Sequence, residues 1–172
     1  MPHWLDQPRH TLGFSLLELL VAVAIIGILA SLVVPSYMEF VQKSRRAEAH
    51  TALMDNLNRL EQFFLDHKRY PTDWLELGYT AAALHQGNPA RLWADPTPDH
   101  QYYTLETYTD ANVAVTTQQL TRFGQPVDIC TNRPCFIILA TAMNSQQQDS
   151  RCTEMAITSE GARVSLPSAD CW

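Results

Sequence analysis

From Phe14 to Val34 the chain runs 21 residues with a single charge, Glu18. A helix of about 20 apolar residues crosses a bilayer core. A helix buried in a soluble protein rarely stays apolar on every face for so long. The run therefore predicts a membrane-spanning helix and places the rest of the chain on either side of it. Thirteen residues precede it, a polar leader-like stretch with two prolines and a glycine (MPHWLDQPRHTLG). They do not make a secretory signal. Glu18 interrupts the start of the apolar run, and the best small-residue cleavage position, after Ala30, has Ile28 two places earlier.

The helical pattern continues beyond the span. Leu53, Leu57, Leu60 and Phe64 recur at i, i+4, i+7 and i+11, one stripe of a helix, while Arg45, Arg46, Glu48, Asp55, Arg59 and Glu61 occupy its other faces. The pattern ends near Asp66–Pro71, with Pro71 as a stop signal. From Phe14 to Leu65 this predicts one helix of roughly 75–80 Å at about 1.5 Å per residue.

Residues 71–100 are rich in Pro, Asp and Gly and read as loop, with one short helix over Ala81–His85. Strands are expected at Tyr102–Thr109, Val113–Thr117, Cys135–Thr141, Cys152–Thr158 and Arg163–Leu166. The polar stretch Asn144–Arg151 reads as a hairpin loop. Strands following one long helix predict an α+β fold in which a small antiparallel sheet packs on that helix.

All four cysteines, Cys130, Cys135, Cys152 and Cys171, fall in the last third of the 172 residues. This pattern points to disulfides and an oxidising compartment; four cysteines allow three pairings. Pairing Cys130 with Cys135 closes the turn Thr131–Pro134, and pairing Cys152 with Cys171 ties the chain end to a strand. Zinc fits poorly: the spacings are wrong and no histidine follows His100.

The chain carries 12 basic and 18 acidic residues, net −6. An acidic head disfavours general binding to nucleic acid or anionic lipid. Six scattered histidines and dispersed carboxylates form no catalytic motif, so an enzyme, a metal site and a cofactor are not expected.

The segment Gly13-Phe14-Ser15-Leu16-Leu17-Glu18-Leu19-Leu20-Val21 resembles the processing site of type IV pilins and pseudopilins. It opens an apolar span, follows a polar leader and precedes a cysteine-bearing head. The stretch Phe63-Phe64-Leu65-Asp66 through Arg69-Tyr70-Pro71 is similar to the helix exit of pilins. The closing Cys152, Gly161 and Cys171-Trp172 are similar to the C-terminal disulfide loop of PilE-like minor pilins. Residues 110–129 match nothing in that pattern and are read as an insertion between strands.

The resemblance implies four regions: a leader over 1–13, the membrane and assembly half of the helix over 14–36, its amphipathic half over 37–66, and the head over 67–172. It implies cleavage between Gly13 and Phe14 by a prepilin peptidase, with methylation of the new Phe14 amine. Most such leaders set Lys or Arg beside the glycine, whereas here Arg9 is the one basic residue before it.

A carboxylate at bilayer depth costs several kcal/mol unless paired. Glu18 is therefore expected to pair with the Phe14 amine of a neighbouring subunit and set the register of assembly. Gly27 and Pro35 weaken the helix and bound a segment expected to stretch or kink. Lys43, Arg45 and Arg46 follow the span; by charge alone they place the head in the cytoplasm. The cysteines and the cleavage motif place it in the periplasm, and the basic trio is then expected to line contacts between subunits.

The implied partners are other pilin subunits, the peptidase, an inner-membrane assembly platform and the inner membrane itself, before export to an extracellular pilus. The function implied is a structural subunit of a type IV pilus, foremost a minor pilin. A type II secretion pseudopilin comes second. Some of those hold calcium in the sheet loops, but Asp95, Asp99, Asp110 and Asp128 lack ligand-like spacing. A DNA-binding competence pilin comes third, with Arg122, Arg133, Arg151 and Arg163 as the candidate basic residues.

Overall fold

The computed structural model describes residues 15–126 and 133–172. Its first element is a single helix, α1, Leu16–His67. The chain divides into two compact units, Met1–Phe40 and Val41–Trp172.

In the first unit every described residue is exposed. Leucine, isoleucine, valine and aromatic side chains point outward on all sides, and this part of α1 is long and apolar enough to cross a membrane. A helix suits that solvent because it satisfies its own backbone hydrogen bonds. The helix continues through Pro35.

In the second unit α1 becomes one-sided. Arg46, Ala49, Leu53, Asn56 and Leu60 are buried, spaced alternately by three and four residues, which makes one face. Leu57 and Phe64 flank that face and pack against the same core. Ala, Leu, Glu, Arg and Gln favour the helix intrinsically. Lys68, with φ of 57°, turns the chain left-handed and donates its N–H to the Phe64 carbonyl at 2.8 Å, closing the helix just before Pro71.

The face lies on a five-stranded sheet made of β1 Arg91–Trp93, β2 Tyr103–Thr109, β3 Phe136–Ala142, β4 Cys152–Thr158 and β5 Arg163–Pro167. The strands are ordered as in sequence, and every pair is antiparallel. Phe136, Ile138 and Ala140 on β3 join Leu105, Met155 and Ile157 in the core beneath α1. Their neighbours Ile137 and Leu139 point to the other face and meet Leu120 and Phe123. The near-continuous apolar run of β3 thus follows from cover on both faces of the sheet.

That second cover comes from α2, Val113–Arg122, where the sequence predicted a strand at Val113–Thr117. The β-branched residues at its start suit a strand. The deciding pattern lies further on: Thr116, Leu120 and Phe123 fall at i, i+4 and i+7, and all three are buried. Thr116 also donates its hydroxyl to the Thr109 carbonyl at 2.7 Å, pinning α2 to the end of β2.

Two more expectations change. Residues 71–100, read as loop with one short helix over Ala81–His85, hold 3-10 turns there at Ala81–Ala83 and His85–Gly87, and also contain β1 and further 3-10 turns at Leu75–Leu77 and Pro98–His100. β1 is held by its register on β2, where Arg91 lies opposite Glu106 and forms an ion pair with it. The segment Asn144–Arg151 does link β3 to β4, but it is not a simple polar hairpin. It holds a 3-10 turn at Asn144–Gln148, and Gln146 and Asp149 are buried.

Candidate assembly surface and the head that carries it

Glu18 lies in the first turn of α1, where a negative charge suits the helix dipole, and it is exposed. Gly13 and Phe14 lie outside the described residues. A Cβ added at Gly27 would meet nothing within 4 Å, so no neighbour in the chain explains a glycine there. Near Pro35 the side chains of Leu32, Val33, Tyr37 and Phe40 line a shallow groove on the bare helix.

Where the head takes hold of α1, Arg46 turns inward and is buried, while Arg45 stays half-exposed against the head. Arg46 makes two hydrogen bonds to Asp149, at 2.6 and 2.7 Å, and both side chains are buried. Gln146 donates to Asp149 at 3.0 Å and to the Tyr103 hydroxyl at 3.1 Å, and reaches the Gln42 carbonyl at 3.4 Å. Burial pushes the Tyr103 phenol up to about 12. Arg45 lies 3.9 Å above the Tyr102 ring and donates to the Ser145 hydroxyl. Lys43 stays exposed.

The C-terminal segment is held beside the same helix. Cys152 and Cys171 form a disulfide with Cα atoms 5.7 Å apart. Cys130 lies outside the described residues, and so does its expected pairing with Cys135. Trp172 donates its indole N–H to the Val164 carbonyl at 2.9 Å and stacks on His50, ring centres 4.6 Å apart. His50 also approaches the Met155 sulfur at 3.2 Å. Desolvation holds the His50 imidazole below its ordinary pKa, and Arg163 and Arg46 push the same way. A cleft of about 330 Å³ opens between Lys43, Ala47 and His50 on α1 and Asp170 and Trp172 on this segment.

The four arginines that could contact DNA are all engaged within the chain. Arg122 pairs with Glu154, Arg133 with Glu160, Arg163 lies over Trp172, and Arg151 also has a partner. Among the described residues no three His, Cys, Asp or Glu side chains gather to hold a metal ion; Asp128 is outside them.

Sequence reasoning missed the Arg46–Asp149 pair, the buried Gln146 and the His50–Trp172 stack. Each includes a contact between residues far apart in sequence, and no local period reports such a contact. The one available hint was the charge of Arg46 at a position where the buried stripe begins.

Comparison with known proteins agrees with this architecture. A family model described as type IV minor pilin ComP, DNA uptake sequence receptor, matches residues 35–156. A model of the prokaryotic N-terminal methylation motif matches residues 8–34. The type II secretion system core protein G of Aeromonas hydrophila is 44% identical over 66 residues, covering 38% of this chain and 46% of that protein. The type IV major pilin protein PilA of Myxococcus xanthus is 39% identical over 82 residues, covering 48% of this chain and 36% of its own length. Core protein G of Klebsiella michiganensis is 35% identical over 96 residues, 56% of this chain and 61% of that protein. These matches span less than two thirds of each relative. The ComP model covers well over half of the chain, with α1 from Pro35, β1 to β3, α2 and most of β4 inside its bounds, and on that ground the chain belongs to the type IV minor pilin ComP family.

Proposed function

We propose that the chain is a structural subunit of a type IV filament, built in through the N-terminal half of α1. One observation carries this reading. Leu16–Phe40 is apolar and exposed on every side, while the same helix from Arg46 onward is gripped by a folded head. Such a surface needs lipid or other helices around it.

In this reading a prepilin peptidase cuts between Gly13 and Phe14 and the Phe14 amine is methylated. The subunit waits in the inner membrane with its head in the periplasm, consistent with the Cys152–Cys171 disulfide, which forms in an oxidising compartment. An assembly platform then moves it into the filament. Glu18 pairs there with the Phe14 amine of a neighbour, which neutralises both charges. The stretch Gly27–Pro35 supplies the extensible part of the helix.

The test is the N-terminal residue of the chain in membranes and in sheared filaments, read by mass spectrometry. Methylated Phe14 in both fractions is expected. A chain that begins at Met1 and stays out of filaments overturns the reading. Glu18→Ala is expected to be processed normally and lost from filaments.

A second reading, that the subunit also receives DNA at the filament surface, is favoured by the description of the matching family. Charge weighs against it: the head is acidic and its candidate arginines are engaged. A gel shift of detergent-solubilised chain with duplex DNA, run from low to physiological salt, decides it. No shift at low salt removes the idea.

A further inference from the structure

Among the described residues Lys43 is the one Lys or Arg side chain with no ionic, hydrogen-bonding or ring partner. Its neighbours Arg45 and Arg46 are taken up by Tyr102, Ser145 and Asp149. Lys43 is exposed at the rim of the cleft beside Trp172. Five residues on, Glu48 is half-buried and likewise has no partner among the described residues. The two do not pair with each other, and helix geometry says why: five residues are a rotation of about 140° and a rise of about 7.5 Å. The charges stand on opposite sides of α1.

Opposite sides are what an open, head-to-tail contact between identical subunits requires, since one side of each subunit meets the other side of the next. We infer that Lys43 of one subunit forms a salt bridge with Glu48 of the adjacent copy. This rests on the filament reading above and adds a second charged contact to it.

The direction of the two contacts agrees. Phe14 precedes Glu18 by four residues, and Lys43 precedes Glu48 by five. In each couple the base is nearer the N-terminus. An axial shift of about 7.5 Å between parallel helices, five residues at about 1.5 Å each, brings Lys43 level with Glu48 of the neighbour, and it runs in the same direction along the chain as a pairing of Phe14 with Glu18. Had Lys43 lain on the C-terminal side of its acid, the two shifts would have run in opposite directions. The pairing also gives an identity to the basic residue left over once the head has used its two neighbours.

Zero-length carbodiimide cross-linking of sheared filaments, followed by peptide mass spectrometry, tests it. Filaments mixed from isotopically light and heavy chain report which links join two copies. The expected product is a Lys43–Glu48 amide between light and heavy chains. Lys43→Glu and Glu48→Lys are each expected to lower the amount of chain in filaments severalfold, and the double reversal to restore it. Single reversals without effect, or Lys43 linked to another carboxylate or to none, overturn the inference and leave the filament reading standing. A wild-type chain absent from filaments overturns both.

Discussion

The guanidinium of Arg46 and the carboxylate of Asp149 face each other across two hydrogen bonds of 2.6 and 2.7 Å, 103 residues apart in sequence and both out of water. Removing one member leaves the other charged and buried. Arg46→Ala and Asp149→Ala are each expected to cost about 3–5 kcal/mol. Asp149→Asn keeps the shape and some hydrogen bonding and should cost less than Asp149→Ala. Urea unfolding of the head, followed by circular dichroism in detergent, measures all three. Equal midpoints for Arg46→Ala and wild type would show that water reaches the pair.

The disulfide is the next determinant of head stability. It closes a loop of 19 residues, for which chain entropy assigns about 3 kcal/mol. Replacing Cys152 and Cys171 together by serine should lower the urea midpoint accordingly. Trp172 should also leave His50, so protease should trim the segment after Pro167 sooner in the double variant than in wild type.

His50 links stability to pH. Its folded pKa lies below the ordinary 6.5, chiefly because burial disfavours the imidazolium. The unfolded chain therefore takes up the proton first as pH falls. Stability from this group is full above about pH 6.5 and is lost as pH falls from there to the folded pKa, below which the loss levels off. An NMR titration should place the His50 midpoint below the ordinary 6.5 of a free histidine. Trp172→Ala rehydrates the ring and should move the midpoint up. A downward move would mean that the indole attracts the cation more strongly than it dries the site.

Leu120 anchors α2 to the far face of the sheet and is fully buried. Leu120→Ala should destabilise the head by about 2–5 kcal/mol. It touches none of the surface proposed for assembly, so the variant that does fold should enter filaments in proportion to its folded amount. Comparing filament yield with the soluble-protease resistance of the head separates the two effects.

Much of this architecture was legible because it is periodic. The unbroken apolar run before Pro35 and the stripe of Leu53, Leu57, Leu60 and Phe64 each repeat a local geometry, and the strands from Phe136 and Cys152 do as well. α2 was misread because Val113, Val115, Thr116 and Thr117 satisfy strand chemistry locally, and the contacts that overrule it come from β2 and β3. The Arg46–Asp149 pair and the Trp172 stack had no local signal at all; they depend on the fold already being in place. The charge couple of Lys43 and Glu48 became readable by subtraction, after the head had claimed Arg45 and Arg46.

The bare collar of α1 from Leu16 to Phe40 has a consequence for how subunits are exchanged. Water is not a resting place for it, since each buried CH₂ lost to solvent costs about 0.8 kcal/mol and the collar carries dozens. A subunit proposed to live in a bilayer and in a filament thus has two homes and no waiting room between them. On the proposed reading, transfer would run directly between bilayer and filament. Growth and shedding would then draw on one lipid-held reservoir, and a filament cut off from its membrane would be a closed account.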